Sequence, residues 1–268
     1  MSTFIQDWTD WHAGHEANLA APHGFLAVTS LNFLGPEPTR FPDAPGVWRS
    51  TAAGVSVDLD PDERLELDDR PITGHHDFGV LPERGGVTVR SGDVALEVAK
   101  RGGFDILRPR HPDNALRTSF TGTSTFEPTP EWVVTGYYSP FVKPRPTTVG
   151  AAVEGLEHVY DAVGEITFEI AGRRLSLTAF PGHRDGDLLV LFSDETAGVT
   201  THPAVRSIAV PAPDGGEVVL DFNRAVNLPC AYTPHATCPY PPLENRLPIA
   251  VTAGERLPES DHLARAAG

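Results

Sequence analysis

The stretch EITFEIAGRRLSLTA, residues 165–179, alternates apolar and polar side chains on either side of the pair Ala171-Gly172. The apolar residues share one face before this pair and repeat the pattern after it: Ile166, Phe168 and Ile170, then Leu175, Leu177 and Ala179. A period of two is typical of half-buried β-strands, because successive side chains point to opposite faces. The stretch therefore predicts a β-hairpin closed at Ala171-Gly172.

Short β-rich runs separated by Gly, Pro and Asp lie on both sides of this hairpin. They predict further strands at 25–34, 46–49, 55–59, 65–67, 87–90, 94–100, 104–107, 132–138, 147–153, 188–192, 205–210, 218–222 and 247–251. About a dozen strands with few helices are typical of a sandwich or barrel. The Pro-rich joints at 140–146 and 211–216 are too short for domain linkers. We therefore expect a single mainly-β domain over residues 1–258, barrel-like or sandwich.

One N-terminal helix is predicted at residues 3–19. Its apolar residues recur at three- and four-residue steps on one face: Phe4, Ile5, Trp8, Trp11 and Leu19. His12, His15 and Glu16 follow the same helix, but the H-E-x-x-H zinc arrangement is absent, so we interpret them as residues of the helix surface. The tail at 259–268 is expected to fray.

The chain has 268 residues and a formal net charge of −15. A duplex-binding surface needs clustered Lys and Arg, and none is visible, so we expect no nucleic-acid partner. No apolar run approaches the ~20 residues of a membrane span, and the N-terminus does not resemble a signal peptide. We expect a cytoplasmic protein with no membrane partner, and the oligomeric state stays open.

Residues 221–246, DFNRAVNLPCAYTPHATCPYPPLENR, interrupt the β pattern and are called the Pro-rich strap below. Proline lacks an amide donor and has a restricted φ, so this stretch is not a central strand. We predict a rigid surface segment. Two interpretations remain open: the strap presents binding groups, or it closes one end of the β fold.

Cys230 and Cys238 lie eight residues apart within the Pro-rich strap, with His235 between them. A disulfide and a catalytic thiol with His235 or His202 as base both remain open. Zinc prefers four ligands, typically with close cysteine pairs, so we predict no metal site. We prefer two buried thiols under the strap, and a cytoplasmic location disfavours the disulfide.

A second polar stretch follows the apolar run 188–192. Asp194 and Thr196 come directly after this run, and Arg206 returns on the next predicted strand. This order of residues predicts either a polar pocket at one end of the β fold or a capped turn around Gly198 with a surface ion pair.

Several of these motifs together resemble the family known as domain of unknown function 1684. The resemblance rests on DFNRA, PCAYTPHATCP, PPLENRLP and the AGE of 253–255, and more weakly on GFLAVTSLNFL, LRTSF and residues 194–206. The positions that fit the family pattern are Asp194, Thr196, Arg206, Asp221, Asn223, Arg224, Asn227, Cys230, Cys238, Glu244 and Asn245. His202 stands where the family usually has Tyr, and position 235 varies, which argues against either histidine as an indispensable base. The resemblance implies a whole-domain match and carries no activity.

Our leading hypothesis for the function is a small-molecule pocket with the Pro-rich strap as its rim. Its ligand-binding residues would be Thr196, Arg206, Asn223, Arg224, Asn227, Glu244 and Asn245. Arginine favours an anionic or carboxylate-bearing ligand, because its guanidinium pairs with two oxygens at once. One alternative is a hydrolase or isomerase that uses Asp194 or Asp221 as base or Cys230 as nucleophile. Another is a structural or protein-interaction module. No cofactor is expected.

Overall fold

The computed structural model describes residues 3–258, which fold into two compact units. The first unit comprises residues 3–16, 121–232 and 237–258, and the second comprises 17–120 and 233–236. The expectation of one domain over 1–258 stays a prediction, and the frayed tail expected at 259–268 lies outside the described residues.

The second unit contains ten strands in two antiparallel sheets. They are β1 (Asn32–Phe33), β2 (Thr39–Phe41), β3 (Ala44–Thr51), β4 (Gly54–Asp58), β5 (Leu65–Leu67), β6 (Arg70–Ile72), β7 (His75–Gly79), β8 (Gly86–Ser91), β9 (Val94–Arg101) and β10 (Phe104–Arg110). One sheet has the order β1-β10-β9-β8-β5-β6 and the other β2-β3-β4-β7. Trp48 and Val57 of the smaller sheet share a buried core with Leu96 and Leu107 of the larger one. This unit is therefore a sandwich.

The run 25–34 is not the continuous strand that its composition predicts. A 3₁₀ turn occupies Phe25–Ala27, and only β1 follows it in this run. The side-chain amide of Asn114 donates to the backbone oxygens of Leu26 and Val28 at 3.0 and 2.8 Å. Because a side chain satisfies these carbonyls, they need no neighbouring strand.

The N-terminal helix is confirmed as α1 (Thr3–Leu19), and a short α2 (Ala115–Thr118) follows β10. Four further 3₁₀ turns lie at Pro130–Trp132, Phe222–Arg224, Pro229–Ala231 and Leu243–Asn245. Within residues 3–258 no helix has the length and apolar character needed to cross a membrane.

The first unit contains one antiparallel sheet of seven strands. They are β11 (Val133–Gly150), β12 (Glu157–Ile170), β13 (Arg173–Pro181), β14 (Leu188–Phe192), β15 (Arg206–Val210), β16 (Glu217–Asp221) and β17 (Val226–Asn227), in the order β16-β11-β12-β13-β14-β15-β17. The predicted hairpin is β12–β13, in which Ile166 pairs with Leu177 and Phe168 with Leu175. These four side chains lie in or against the core of this unit.

Three of the strands predicted in this unit differ from the structure. The runs 132–138 and 147–153 belong largely to one strand, β11, which continues through the prolines with a register shift between Pro140 and Arg145. β16 pairs with β11 only over residues 133–137, so the prolines need no donor on that side. The run 247–251 is not a strand: Leu247 N and Ile249 O bond the backbone of Ser193 and Glu195, but Val251 N and O instead contact the side chains of Asp194 and Arg206.

The mainly-β prediction with one N-terminal helix is confirmed. The described residues form seventeen strands, more than the expected dozen, since strands of two or three residues carry no detectable period. In residues 3–258 the first and last strands of each of the three sheets do not pair with each other, so no sheet closes into a barrel. The sheets are sandwich-like, and the barrel alternative is not confirmed.

Candidate functional site

Asp194 and Arg206 form a buried ion pair between the end of β14 and the start of β15. Arg206 Nη2 donates to Asp194 Oδ2 at 2.7 Å, and each side chain is 1% exposed. Arg206 also donates to the backbone oxygens of Ala253 at 2.6 Å and Val251 at 3.1 Å. Its terminal nitrogens therefore fasten the C-terminal segment and are occupied by internal acceptors.

The second carboxylate oxygen of Asp194 shapes the turn that follows β14. Oδ1 accepts from the backbone N–H of Thr196 at 2.9 Å, from its hydroxyl at 2.6 Å and from Val251 N at 3.1 Å. The Thr196 hydroxyl also lies 2.8 Å from that of Thr201. Four donors from the protein itself therefore contact this carboxylate. The geometry matches the capped turn around Gly198.

Asp221, Asn223 and Arg224 surround the 3₁₀ turn after β16. Asp221 Oδ1 caps this turn by accepting from Asn223 N at 3.0 Å. The Asn223 amide exchanges two hydrogen bonds with the backbone of Thr129, and Trp8 Nε1 donates to Asn223 O at 2.8 Å. Arg224 is 39% exposed and its Nε lies 3.2 Å from Asp221 Oδ2. Through these contacts the DFNR motif connects the segment at Thr129 with α1.

Asn227 belongs to a buried network centred on Glu255, which sequence reasoning did not select as a site residue. Glu255 is 1% exposed, and its Oε2 accepts from Asn227 N at 2.7 Å and from the Tyr232 hydroxyl at 3.2 Å. Its Oε1 lies 3.2 Å from His15 Nε2 and 3.8 Å from His12 Nε2. The AGE motif of 253–255, which ends in Glu255, was the sequence feature that could have indicated this network.

The two helix histidines are therefore half-buried against Glu255, and their interpretation as residues of the helix surface is incomplete. Trp8 stacks on His12 and Trp11 on His15, with ring centroids 4.9 and 5.9 Å apart. Within the described part of the chain, no group of three His, Cys, Asp or Glu side chains is arranged to hold a metal ion.

Asn245, within the Pro-rich strap, uses its side-chain amide to contact the backbones of two neighbouring strands. Its fully buried amide accepts from Thr178 N at 2.7 Å and donates to the backbone oxygens of Thr178 at 2.9 Å and Leu191 at 2.7 Å. The side chain therefore connects β13 and β14 beyond the residues through which the two strands pair directly. The neighbouring Glu244 is exposed, and its Oε1 lies 3.5 Å from the Thr178 hydroxyl.

Cys230 and Cys238 are thiols, and no disulfide joins them. Cys238 Sγ accepts the backbone N–H of Cys230 at 3.2 Å. The hydrogen bond from Cys238 lowers the pKa of Cys230, and burial opposes this effect. Neither His202 nor His235 contacts Cys230 through a hydrogen bond in residues 3–258, and burial lowers the pKa of both histidines. The catalytic-thiol hypothesis stays a prediction.

A cleft of about 540 Å³ lies in the first unit, between the turn after β14 and the Pro-rich strap. Its polar lining includes Ser193, Glu195, Tyr240 and Arg246, and its apolar lining includes Ala197, Pro203, Ala204, Pro241 and Leu247. Asp194 also lines it, whereas the predicted ligand-binding residues do not appear among the described lining residues. Residues of both predicted stretches, 194–206 and 221–246, therefore line the cleft, but they are not the residues that were predicted to bind the ligand.

Arg246 is the cationic side chain of this lining. It is exposed, and its guanidinium has no hydrogen bond or ion pair with the residues that the structure describes. Its backbone is fixed, because Arg246 forms a parallel bridge with Ser193 and the flanking Leu247 N donates to Ser193 O at 2.8 Å. Sequence reasoning missed Arg246 because a basic residue at the end of a strap does not reveal whether its donors are occupied.

The fold and the cleft define a mainly-β protein with a surface cleft beside a Pro-rich strap. Residues 118–256, just over half of the chain, match the family described as Protein of unknown function (DUF1684), and the chain belongs to this family. The solution NMR structure of the uncharacterized protein from gene locus rrnAC0354 of Haloarcula marismortui is 32% identical, covering 52% of this chain and 78% of that chain, with a TM-score of 0.44. No curated protein matches the chain.

Proposed function

We propose that the protein binds a small carboxylate-bearing molecule in the cleft beside Arg246. The observation that carries this proposal is an exposed guanidinium, without a partner among the described residues, in the wall of a cleft of about 540 Å³. A guanidinium presents parallel donors that match the two oxygens of a carboxylate. The volume falls within the range of small-molecule sites.

The rest of the cleft lining narrows the class of ligand. Ala204, Pro241 and Leu247 favour a compact apolar body. Glu195 lies in the same lining, and the chain carries a formal net charge of −15, which disfavours multiply charged anions. We therefore propose a monocarboxylate with an apolar body, in which any donor or cationic group faces Glu195.

Arg206 has a different role in this proposal from the one expected from the sequence. Its terminal nitrogens contact Asp194, Val251 and Ala253, so it supports the cleft from behind and leaves the ligand to Arg246. We thus keep the predicted anionic ligand, but we propose Arg246 rather than Arg206 as the residue that anchors it.

A panel of matched ligands tests the proposal. Aliphatic and aromatic monocarboxylates are titrated into the labelled protein alongside their neutral primary amides, and backbone amide chemical shifts are recorded. We expect the carboxylates to perturb Ser193, Ala204 and Leu247, and the amides to have little effect. Equal perturbation by both members of each pair, or shifts confined to other parts of the chain, would overturn the proposal.

A further inference from the structure

Cys230 and Cys238 are the two cysteines of the chain, and the structure holds them side by side. Cys238 Sγ lies 3.2 Å from the backbone nitrogen of Cys230 and accepts its N–H. Carboxylate binding in the cleft does not require this pairing. The role of the two thiols is therefore separate from that of the cleft.

Further backbone hydrogen bonds hold the segment that carries each cysteine. Cys238 O accepts from Ala152 N at 2.8 Å, and Tyr240 N, two residues further on, donates to Gly150 O at 2.8 Å. Cys230 lies in the 3₁₀ turn Pro229–Ala231, which Ala231 N closes by donating to Leu228 O at 2.9 Å. Disulfide formation depends on the approach of the two cysteine backbones, so this fixed proximity favours a bond between the sulfurs.

The two thiols differ in accessibility. Cys230 is half-buried and packs against the cluster that contains Phe180 and Val205, whereas Cys238 is 7% exposed. The hydrogen bond from Cys238 also lowers the pKa of Cys230, which increases its thiolate fraction. Since the thiolate is the reactive form, Cys230 is suited to attack first and Cys238 to complete the exchange.

We propose that Cys230 and Cys238 are a reversible thiol–disulfide pair that reacts with low-molecular-weight disulfides. The Cys230 thiolate attacks one sulfur of such a disulfide, forms a mixed disulfide and releases one small thiolate. Cys238 loses its proton and attacks the Cys230 sulfur, which forms the internal bond and expels the second small thiolate. Two protein thiols are oxidised and one small disulfide is reduced to two thiols.

Oxidised glutathione is the probe that tests this pair in the intact protein. We expect the native chain to lose two hydrogens by mass spectrometry, without a lasting glutathione adduct, and to regain them on reduction. Against the same redox buffer, the internal disulfide should be favoured about tenfold or more in the native protein over the urea-unfolded chain, because folding brings the thiols together beforehand. Equal or weaker formation in the native protein would overturn the proposal.

Two serine variants distinguish the roles of the cysteines. Cys238→Ser should accumulate one glutathione on Cys230, whereas Cys230→Ser should stay unmodified until it is unfolded. Adduct formation at equal rates in both variants would contradict the assigned order of attack. The comparison of native and unfolded wild-type protein needs no variant. It therefore still tests the proposal if either serine variant fails to fold. Carboxylate binding is measured separately, so failure of the thiol pair leaves the proposed function unaffected.

Discussion

Arg206 Nη2 and Asp194 Oδ2 lie 2.7 Å apart, and each side chain is only 1% exposed. The pair connects β14 and β15 to residues 251–253, a segment that belongs to no strand. A buried guanidinium needs acceptors for its donors, and here a carboxylate and backbone carbonyls serve the two terminal nitrogens, whereas Nε has no partner among the described residues. The guanidinium that sequence reasoning assigned to a ligand is bonded here to acceptors of the protein itself.

Replacement of Arg206 should therefore be strongly destabilising. Arg206→Ala leaves the Asp194 carboxylate buried without its counter-charge, and we expect a loss of about 3–5 kcal/mol in the free energy of unfolding. Arg224→Ala is the matched control, because its side chain is 39% exposed and its ion pair should contribute no more than about 1 kcal/mol. Urea denaturation followed by circular dichroism measures both. Similar losses in the two variants would contradict a structural role specific to Arg206.

Asn245 provides a second test of the Pro-rich strap as a structural element. Asn245→Ala removes an amide that contacts β13 and β14, and it leaves Thr178 and Leu191 with unsatisfied backbone groups. We expect a loss of about 1–3 kcal/mol in unfolding free energy. Glu244→Ala, one residue away and exposed, should change stability by less than about 0.5 kcal/mol. If Glu244→Ala proved as costly, the stability of the strap would not depend on the Asn245 amide.

The contrast between Asn245 and the β12–β13 hairpin shows what the sequence could reveal. The hairpin was predictable because its apolar alternation is local and repeats after one turn. Asn245 bridges two strands through a side chain, and the backbone of Val251 contacts the side chains of Asp194 and Arg206. Contacts between residues so distant in the chain leave no local period. Proline spacing indicated where the strap lies, but it carried no information on which arginine is paired.

Glu97 should give the second unit a specific sensitivity to acid. Burial alone would raise the pKa of Glu97, but the charges and hydrogen bonds of Arg108 and Arg110 outweigh burial and lower it to about 2. A depressed folded-state pKa stabilises the fold above the unfolded value of 4.5, and this stabilisation is lost as the pH falls from 4.5 toward 2. The shift corresponds to about 3 kcal/mol.

Urea midpoints of the wild type and Glu97→Gln check this effect across the acid range. The wild type should be more stable near neutral pH, and the difference should shrink as the pH falls below the unfolded pKa. A stability difference that does not change with pH would show that Glu97 contributes through packing or shape rather than through its charge.

Glu255 should govern how α1 is held within the first unit. Glu255→Ala removes the acceptor of Asn227 N and the Tyr232 hydroxyl, together with the carboxylate beside His15. We expect a loss of about 1–3 kcal/mol and a change in tryptophan fluorescence, since Trp8 and Trp11 stack on the two histidines. The exposed Glu127→Ala serves as control. Fluorescence unchanged from the wild type would contradict a role for Glu255 in placing α1.

The central claim, carboxylate binding at Arg246, is tested most directly by calorimetric titration of the best monocarboxylate from the matched panel. Arg246→Gln removes the guanidinium from the cleft lining, and Arg70→Gln removes an exposed arginine of the second unit with the same change in charge. Because a hydrogen-bonded charge contributes about 1.5–3 kcal/mol, we predict that Arg246→Gln weakens binding about tenfold or more. Arg70→Gln should leave the affinity unchanged. Equal affinity of Arg246→Gln and the wild type would contradict the account.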